Sequence, residues 1–295
     1  MTSPTLAAVA TQFLQRPGLA KGTLKAYEST LMPLLAAHGS WPIDLLERGE
    51  IVEYLQSLTH LAYTTRRKHQ ATVQSLFNFA VEQGYLKANP IVRLKQPKPD
   101  LHKGEHTSDD AIRYLSEPQL SCLYRAVELD TRMKAIISLL HRSGARISEV
   151  LQLDLDDVDF EEQRFQVLGK GNKQRWCFFS KDTAIALNEY MREGRHQRSA
   201  ALFTAQQPIS LETSRISYRR IHQCWETLIE PYPDLKCARL HDLRHTFATE
   251  RVGLMGIEEL RALMGHESIQ TTLRYQKVTS RRAELVAKQA LDKLQ

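Results

Sequence analysis

Through the first 88 residues apolar side chains return every three or four positions. Leu6, Val9 and Phe13 form one such stripe, and Leu24, Tyr27, Leu31, Leu34 and Leu35 form a second. That period is the signature of amphipathic helices with one buried face. Thr23, following Gly22, is placed to cap the second helix. The pattern predicts a third helix from about Glu47 to Ser57. A fourth begins near Thr64, carries Val73, Leu76, Phe77 and Ala80 on one face, and stops at Gly84. Four helices with short connections predict a compact bundle over residues 1–88. At Asn89-Pro90 the periodicity stops. Residues 89–112 carry Pro90, Pro97 and Pro99 among repeated basic residues. Proline fixes its own backbone and restricts the residue before it, so this stretch reads as an extended interdomain linker.

The remainder, residues 113–295, is mixed. Helical patterns surround Leu120 to Val127 and Met133 to Leu140. Val158 and Phe160 then alternate with polar residues, as do Phe165 and Val167, and Cys177 to Phe179 follow the turn-like Gly169-Lys170-Gly171-Asn172. Alternation with a glycine-rich turn predicts a three-stranded antiparallel meander. After residue 182 the signal is again helical throughout, ending in an amphipathic helix over 280–294 whose Ala283, Val286, Ala287, Ala290, Leu291 and Leu294 line one face. The expected fold is mainly α with a small antiparallel sheet: a four-helix N-terminal domain followed by a larger mixed domain.

Composition agrees with two folded domains. Of 295 residues, 42% are hydrophobic and 25% charged, far from the disordered class. No run approaches the ~18 apolar residues of a membrane span, and the N-terminal stretch lacks the basic start and apolar segment of a secretory signal. Cys122, Cys177, Cys224 and Cys237 show no CxxC spacing, so neither a disulfide scaffold nor a cysteine-rich zinc site is expected, and a reducing cytoplasm fits best. Forty Lys and Arg against 34 Asp and Glu leave a net charge of +6, which permits a polyanionic partner without requiring one.

Four segments of the second domain carry candidate chemistry: GARISEVLQL (144–153), GKGNKQR (169–175), HDLRHTFATE (241–250) and MGHESIQTTLRY (264–275). Taken singly each has an ordinary explanation: Arg146 paired to Glu149, Lys170 decorating a hairpin tip, His266 at a helix end, Tyr275 as a half-buried aromatic. His241 and His245 sit four apart on a predicted helix, as in HExxH zinc sites. Asp242 replaces the general-base glutamate, Arg244 adds a cation beside the pair, and no third ligand is well spaced, so no metal is expected.

Together the residues suit a single substrate group. A phosphodiester passing through a pentavalent state carries negative charge on its non-bridging oxygens, and two arginines clamp such oxygens with bidentate hydrogen bonds. Histidines add donors, a lysine protonates a leaving oxygen, and a tyrosine is a competent nucleophile. No Asp/Glu cluster is present to hold metal ions, so fixed cations take their place. Ionising a free tyrosine (pKa ~10) at neutral pH costs roughly 4 kcal/mol, and a nest of Arg, His and Lys lowers that cost.

Arg146 in GARISEVLQL, Lys170 in GKGNKQR, His241 and Arg244 in HDLRHTFAT, His266 in MGHESIQTT and Tyr275 nine residues later resemble, in order and context, the catalytic set of the tyrosine recombinase (phage integrase) family, in wording most like its Xer-type members. The resemblance spans nearly the whole chain. It implies a site-specific DNA recombinase that breaks and rejoins strands through a 3′-phosphotyrosyl intermediate, without metal, ATP or other cofactor, in DNA integration, excision or resolution. Tyr275 is then the nucleophile, Lys170 the general acid for the 5′-oxygen, and Arg146 and Arg244 the phosphate clamp. His241 assists proton transfer from the tyrosine and His266 hydrogen-bonds the phosphate. Glu149, also shared with the family, orients the arginine region. The implied partners are a double-stranded DNA recombination site and further copies of the chain, assembled as a tetramer through the C-terminal helix. An accessory protein stays open. With DNA as partner, Arg66, Arg67 and Lys68 on the fourth helix, Lys95 and Lys98 in the linker, Lys173 beside the hairpin, and Arg215, Arg219 and Arg220 in the basic stretch 214–220, read as helical, become candidate contacts. The same residue set would also serve a type IB topoisomerase-like or hairpin-forming enzyme, and a non-catalytic DNA-binding relative is the remaining alternative.

Overall fold

The fold was obtained as a computed structural model, which describes residues 3–96, 98–100, 112–169, 173–206, 211–278 and 291–292. The chain divides into two compact units, Met1–Asp110 and Ala111–Gln295. Lys170 and nearly all of the predicted terminal helix lie outside the described residues.

Four α-helices run through the first unit: α1 (Leu6–Leu14), α2 (Lys21–His38), α3 (Arg48–Ser57) and α4 (Tyr63–Glu82). Thr5 caps α1 by accepting a hydrogen bond from the Ala8 N–H at 3.3 Å. The apolar stripes meet as the periodicity requires: Leu6, Val9, Phe13, Leu31, Leu34, Val73, Leu76 and Phe77 are all fully buried. Helix α2 begins two residues before the expected Thr23 cap, from an extended Ala20, and so takes Gly22 inside it. The cost of an internal glycine, about 1 kcal/mol, is smaller than what burying the stripe returns.

The first part of the supposed linker belongs to this unit. Ile91 is fully buried in the helical core. Asn89 donates to Asn78 Oδ1 at 2.6 Å and accepts from the Ile91 N–H at 2.9 Å. Gln70 donates to the carbonyls of Leu94 and Lys95, each at 3.2 Å. Residues 89–95 are therefore packed chain. Proline reports the loss of helix, but only a tertiary core shows that an apolar residue beyond it still has somewhere to go.

In the second unit come α5 (Glu117–Ala126), α6 (Thr131–Ser143), α7 (Ile147–Gln152), strands β1 (Val158–Asp159), β2 (Arg164–Leu168) and β3 (Gln174–Phe178), α8 (Lys181–Glu193), β4 (Thr204–Gln206), β5 (Thr213–Arg215), α9 (Tyr218–Ile229), α10 (Leu240–Arg251), α11 (Ile257–Met264) and α12 (Ile269–Leu273), with a 3-10 turn at Arg274–Val278. The meander is antiparallel in the order β1-β2-β3, with Phe165 opposite Cys177 and Val167 opposite Arg175. Its inner face joins α6, whose Met133, Ile136, Ile137 and Leu140 are buried, in one core with Leu187, Tyr190 and Trp225. A second hairpin, β4-β5, was not expected after residue 182. Its strands are three residues long, too short to display an alternation. The stretch 214–220 is accordingly strand, turn and helix: Ser217 caps α9, accepting from the Arg220 N–H at 3.2 Å.

Gly144 ends α6 in the left-handed region (φ +66°), where a Cβ would run into the Phe247 ring of α10. Gly144→Ala thus combines backbone strain with overpacking, and is expected to cost about 2–4 kcal/mol. Thermal unfolding measures it, and an unchanged midpoint would contradict this packing.

Candidate active site

The site grows from the first turn of α7. Arg146 is its N-cap residue, and Glu149, three positions on, reaches back to accept the Arg146 backbone N–H at 2.7 Å. The same carboxylate accepts Arg146 Nη1 at 2.9 Å. From β3, Arg175 meets it fork to fork: Nη2 donates to Oε2 at 2.6 Å and Nη1 to Oε1 at 2.9 Å. Strand alternation sends Arg175 and Cys177 to the inner face while Trp176 and Phe178 face out. The remaining donors of both arginines hold the segment preceding His266, Arg175 Nε on the Leu263 carbonyl at 3.1 Å and Arg146 Nη2 on the Gly265 carbonyl at 3.2 Å. Gly265 is left-handed (φ +61°), and a Cβ there would stand 2.9 Å from Arg175 Nη1. Burial alone would raise the Glu149 pKa, but hydrogen bonds and charge from Arg175 and Arg146 prevail and hold it below the usual range. Glu149 is ionised and balances one of the two cations.

The second wall is α10. Asp242, buried in its first turn, accepts the Arg239 N–H at 2.9 Å and Arg239 Nη2 at 2.8 Å. Arg244 is buried and bridges two segments, donating through Nη1 to the Gly144 carbonyl and through Nη2 to the Met264 carbonyl, the latter at 2.6 Å. Burial first, and then the charge of Arg146, brings its pKa down to about 10, so it stays cationic at neutral pH. Among the described residues, two of its five N–H groups have partners. His241 and His245 share one face of α10, with ring centroids 4.6 Å apart and planes at 85°.

Tyr275 comes from the turn after α12 and is buried to 3% exposure against Phe247, Leu260 and Met264. Its hydroxyl is 2.8 Å from His245 Nδ1. Its ring lies parallel to that of His266, with centroids 6.2 Å apart. His266 in turn contacts Thr272 Oγ1 through Nδ1 at 2.9 Å.

The electrostatics follow from burial beside arginines. Desolvation, then the His241 ring, lowers His245 to about 4. Desolvation, then Arg244 and Arg146, lowers His266 to about 3, and the same two leading causes lower His241. All three imidazoles are neutral at physiological pH. Burial raises the phenol of Tyr275, while Arg244, Arg274 and Arg146 pull it the other way. Glu149 is shared between Arg146 and Arg175 and Asp242 pairs with Arg239, so among the described residues the charge acting on the phenol, from Arg244, Arg274 and Arg146, is net positive. That is a receptor for a compact oxyanion beside a phenol.

Arg146, His241, Arg244, His266 and Tyr275 are thus brought to one place, within one another's charge influence. Lys170 lies outside the described residues. Among the described residues no group of three or more His, Cys, Asp or Glu is arranged to hold a metal ion. Of the outlying candidates, Lys68, Lys95, Lys98, Lys173, Arg219 and Arg220 are exposed, while Arg66 and Arg67 are half-buried. Arg67 donates to Gln96 Oε1 at 2.9 Å. Arg215 is half-buried and engaged within the unit: its Nη1 donates to the Leu151 and Leu153 carbonyls at 3.0 and 2.8 Å and its Nη2 to Asp154 at 2.6 Å. That guanidinium fastens the end of α7 to β5. Two further residues join the site: Arg175, which closes the GKGNKQR segment and alternates in phase with Cys177, and His245, whose spacing from His241 by itself suggests only a metal ligand.

Fold and relatives together define a recombinase enzyme. The chain belongs to the phage integrase family, whose model matches residues 113–282. It is 28% identical over 278 residues to the tyrosine recombinase XerD of Bifidobacterium longum, covering 89% of this chain and 88% of that one. To the tyrosine recombinase XerC of Mycobacterium bovis it is 31% identical over 287 residues, covering 91% and 92%. Among solved structures, the Tn1549 transposon integrase in complex with a circular intermediate DNA superposes with a TM-score of 0.73 at 20% identity, covering 92% and 95%. A lambda integrase dimer bound to a core site gives 0.70 at 14% identity, covering 91% and 97%. At these identities the two superpositions establish the fold.

Proposed function

We propose that the protein is a site-specific DNA recombinase that cuts and rejoins DNA through a covalent bond between Tyr275 and a 3′-phosphate. The observation that carries this is the Tyr275 hydroxyl, buried within the charge influence of Arg146 and Arg244, neither of which has a carboxylate to itself. The phenolic oxygen attacks the scissile phosphorus as its proton departs, the bond from phosphorus to the 5′-oxygen breaks, and Lys170 protonates that oxygen. Arg146 and Arg244 take the charge that develops on the non-bridging oxygens, and His266 adds a hydrogen bond to them. The phosphodiester energy stays in the phosphotyrosyl bond, so a 5′-hydroxyl from another duplex can reverse the attack with neither ATP nor metal. Exposed Lys68 in the second turn of α4 and Arg219 and Arg220 in the first turn of α9, with Arg66, Arg67, Lys95, Lys98 and Lys173, supply phosphate and groove contacts. Copies of the chain assemble on DNA as a tetramer, joined through the terminal segment 280–294. No helix among the described residues is long and apolar enough to cross a membrane, and the cytoplasm is the proposed location.

The test is a duplex of the target site, nicked beside the cleavage position so that the short 5′-hydroxyl product diffuses away. Wild type is expected to accumulate a covalent protein–DNA adduct, in EDTA and without nucleotide, and Tyr275→Phe none. An adduct in Tyr275→Phe would overturn the assignment. Exchange between two labelled duplexes distinguishes recombination from relaxation or hairpin formation by the same chemistry.

A further inference from the structure

We infer that His245, and not His241, is the proton acceptor for the Tyr275 phenol. The inference rests on the reading of Tyr275 as nucleophile. His241 and His245 occupy successive turns on one face of α10, so their spacing ranks neither first. The geometry does: the hydroxyl is 2.8 Å from His245 Nδ1, whereas His241 meets the phenol through no hydrogen bond and lies edge to face against the His245 ring. His245 is half-buried, whereas His241 is exposed.

The neutral imidazole with its proton on Nε2 presents a lone pair at Nδ1, and in that tautomer the phenol donates. Its surroundings keep this form at rest: burial first, then the His241 ring, Arg239 and Arg244 disfavour the cation, and Asp242 opposes them. A phosphodiester monoanion held between Arg146 and Arg244 offsets part of that positive field and makes Nδ1 more basic just when substrate is present. The proton then passes from the Tyr275 oxygen to His245 Nδ1. The freed electron pair forms the oxygen–phosphorus bond, the bond to the 5′-oxygen breaks, and the 5′-oxygen takes its proton from the general acid, Lys170 in our reading. In religation the 5′-hydroxyl attacks and His245 returns the proton to the departing phenolate.

The test is single-turnover adduct formation on the nicked duplex, followed from neutral to alkaline pH, for His245→Gln, His241→Gln and Tyr275→Phe, with DNA binding measured in parallel. The amide introduced by His245→Gln retains a hydrogen-bond acceptor but cannot take up a proton. At neutral pH His245→Gln is expected to slow cleavage by about 10²–10⁴-fold with binding unchanged. Its rate should climb with pH as solvent deprotonates the phenol, a slope that a packing defect would not produce. Should His245→Gln fail to fold, His245→Ala assayed with and without added imidazole replaces it, with rescue expected. A His245→Gln rate within about threefold of wild type, a pH-independent loss, or no rescue by imidazole would overturn the role of His245. Adduct in Tyr275→Phe would instead overturn the reading beneath it.

Discussion

Glu149→Ala is expected to destabilise the second unit by about 3–5 kcal/mol, because it leaves the Arg175 guanidinium buried without its counter-charge. For a domain of this size each kcal/mol moves the melting midpoint roughly 2–4 °C, so a shift of about 6–20 °C is expected. Strand-cleavage activity should fall with it, since Arg146 loses the carboxylate that accepts both its backbone N–H and its Nη1. Stability and positioning are separated by a double variant. Glu149→Leu with Arg175→Met removes both charges together and is expected to recover the midpoint to within about 1 kcal/mol of wild type. Cleavage should nevertheless remain about 10²-fold down, the effect of a clamp displaced by about an ångström. Wild-type cleavage by the folded double variant would show that the carboxylate does not orient Arg146.

Arg244→Lys is expected to reduce cleavage by about 10²–10³-fold, or roughly 2.7–4 kcal/mol of transition-state stabilisation, although it preserves the charge. The guanidinium reaches the carbonyls of Gly144 and Met264 at once while keeping donors for a phosphate. A lysine ammonium is one point with three donors and cannot span two carbonyls and an oxyanion in fixed geometry. One buried carbonyl is then left unsatisfied, costing about 1–3 kcal/mol of stability. Half-site DNA binding, which depends on many exposed cations, should change little. The comparison is adduct formation against binding on the same duplex. Loss confined to binding would remove Arg244 from the clamp.

Much of this molecule is written locally. The 3.6-residue stripes of Leu6-Val9-Phe13 and Val73-Leu76-Phe77 foretell which residues enter the first core, and the alternation of Phe165 and Val167 foretells the central strand. Local rules suffice there because a helix or strand buries one face whatever its neighbour is. They fail where the deciding partner is distant or the element too short to repeat. Strands β4 and β5 show no period, and Arg215 looks like a free surface cation until the ends of α7 and β5 are adjacent. In the site, residue type and order already singled out Arg146, His241, Arg244, His266 and Tyr275, which the structure brings together. Tertiary structure alone decided that Arg175 shares Glu149 across 26 residues, that Arg244 reaches Gly144 across 100, and that of two histidines one turn apart His245 lies within hydrogen-bond distance of the phenol. A side chain's type sets what it can donate, accept or carry, and is therefore legible in sequence. What it meets depends on how the buried elements stack, which no stretch of chain contains by itself.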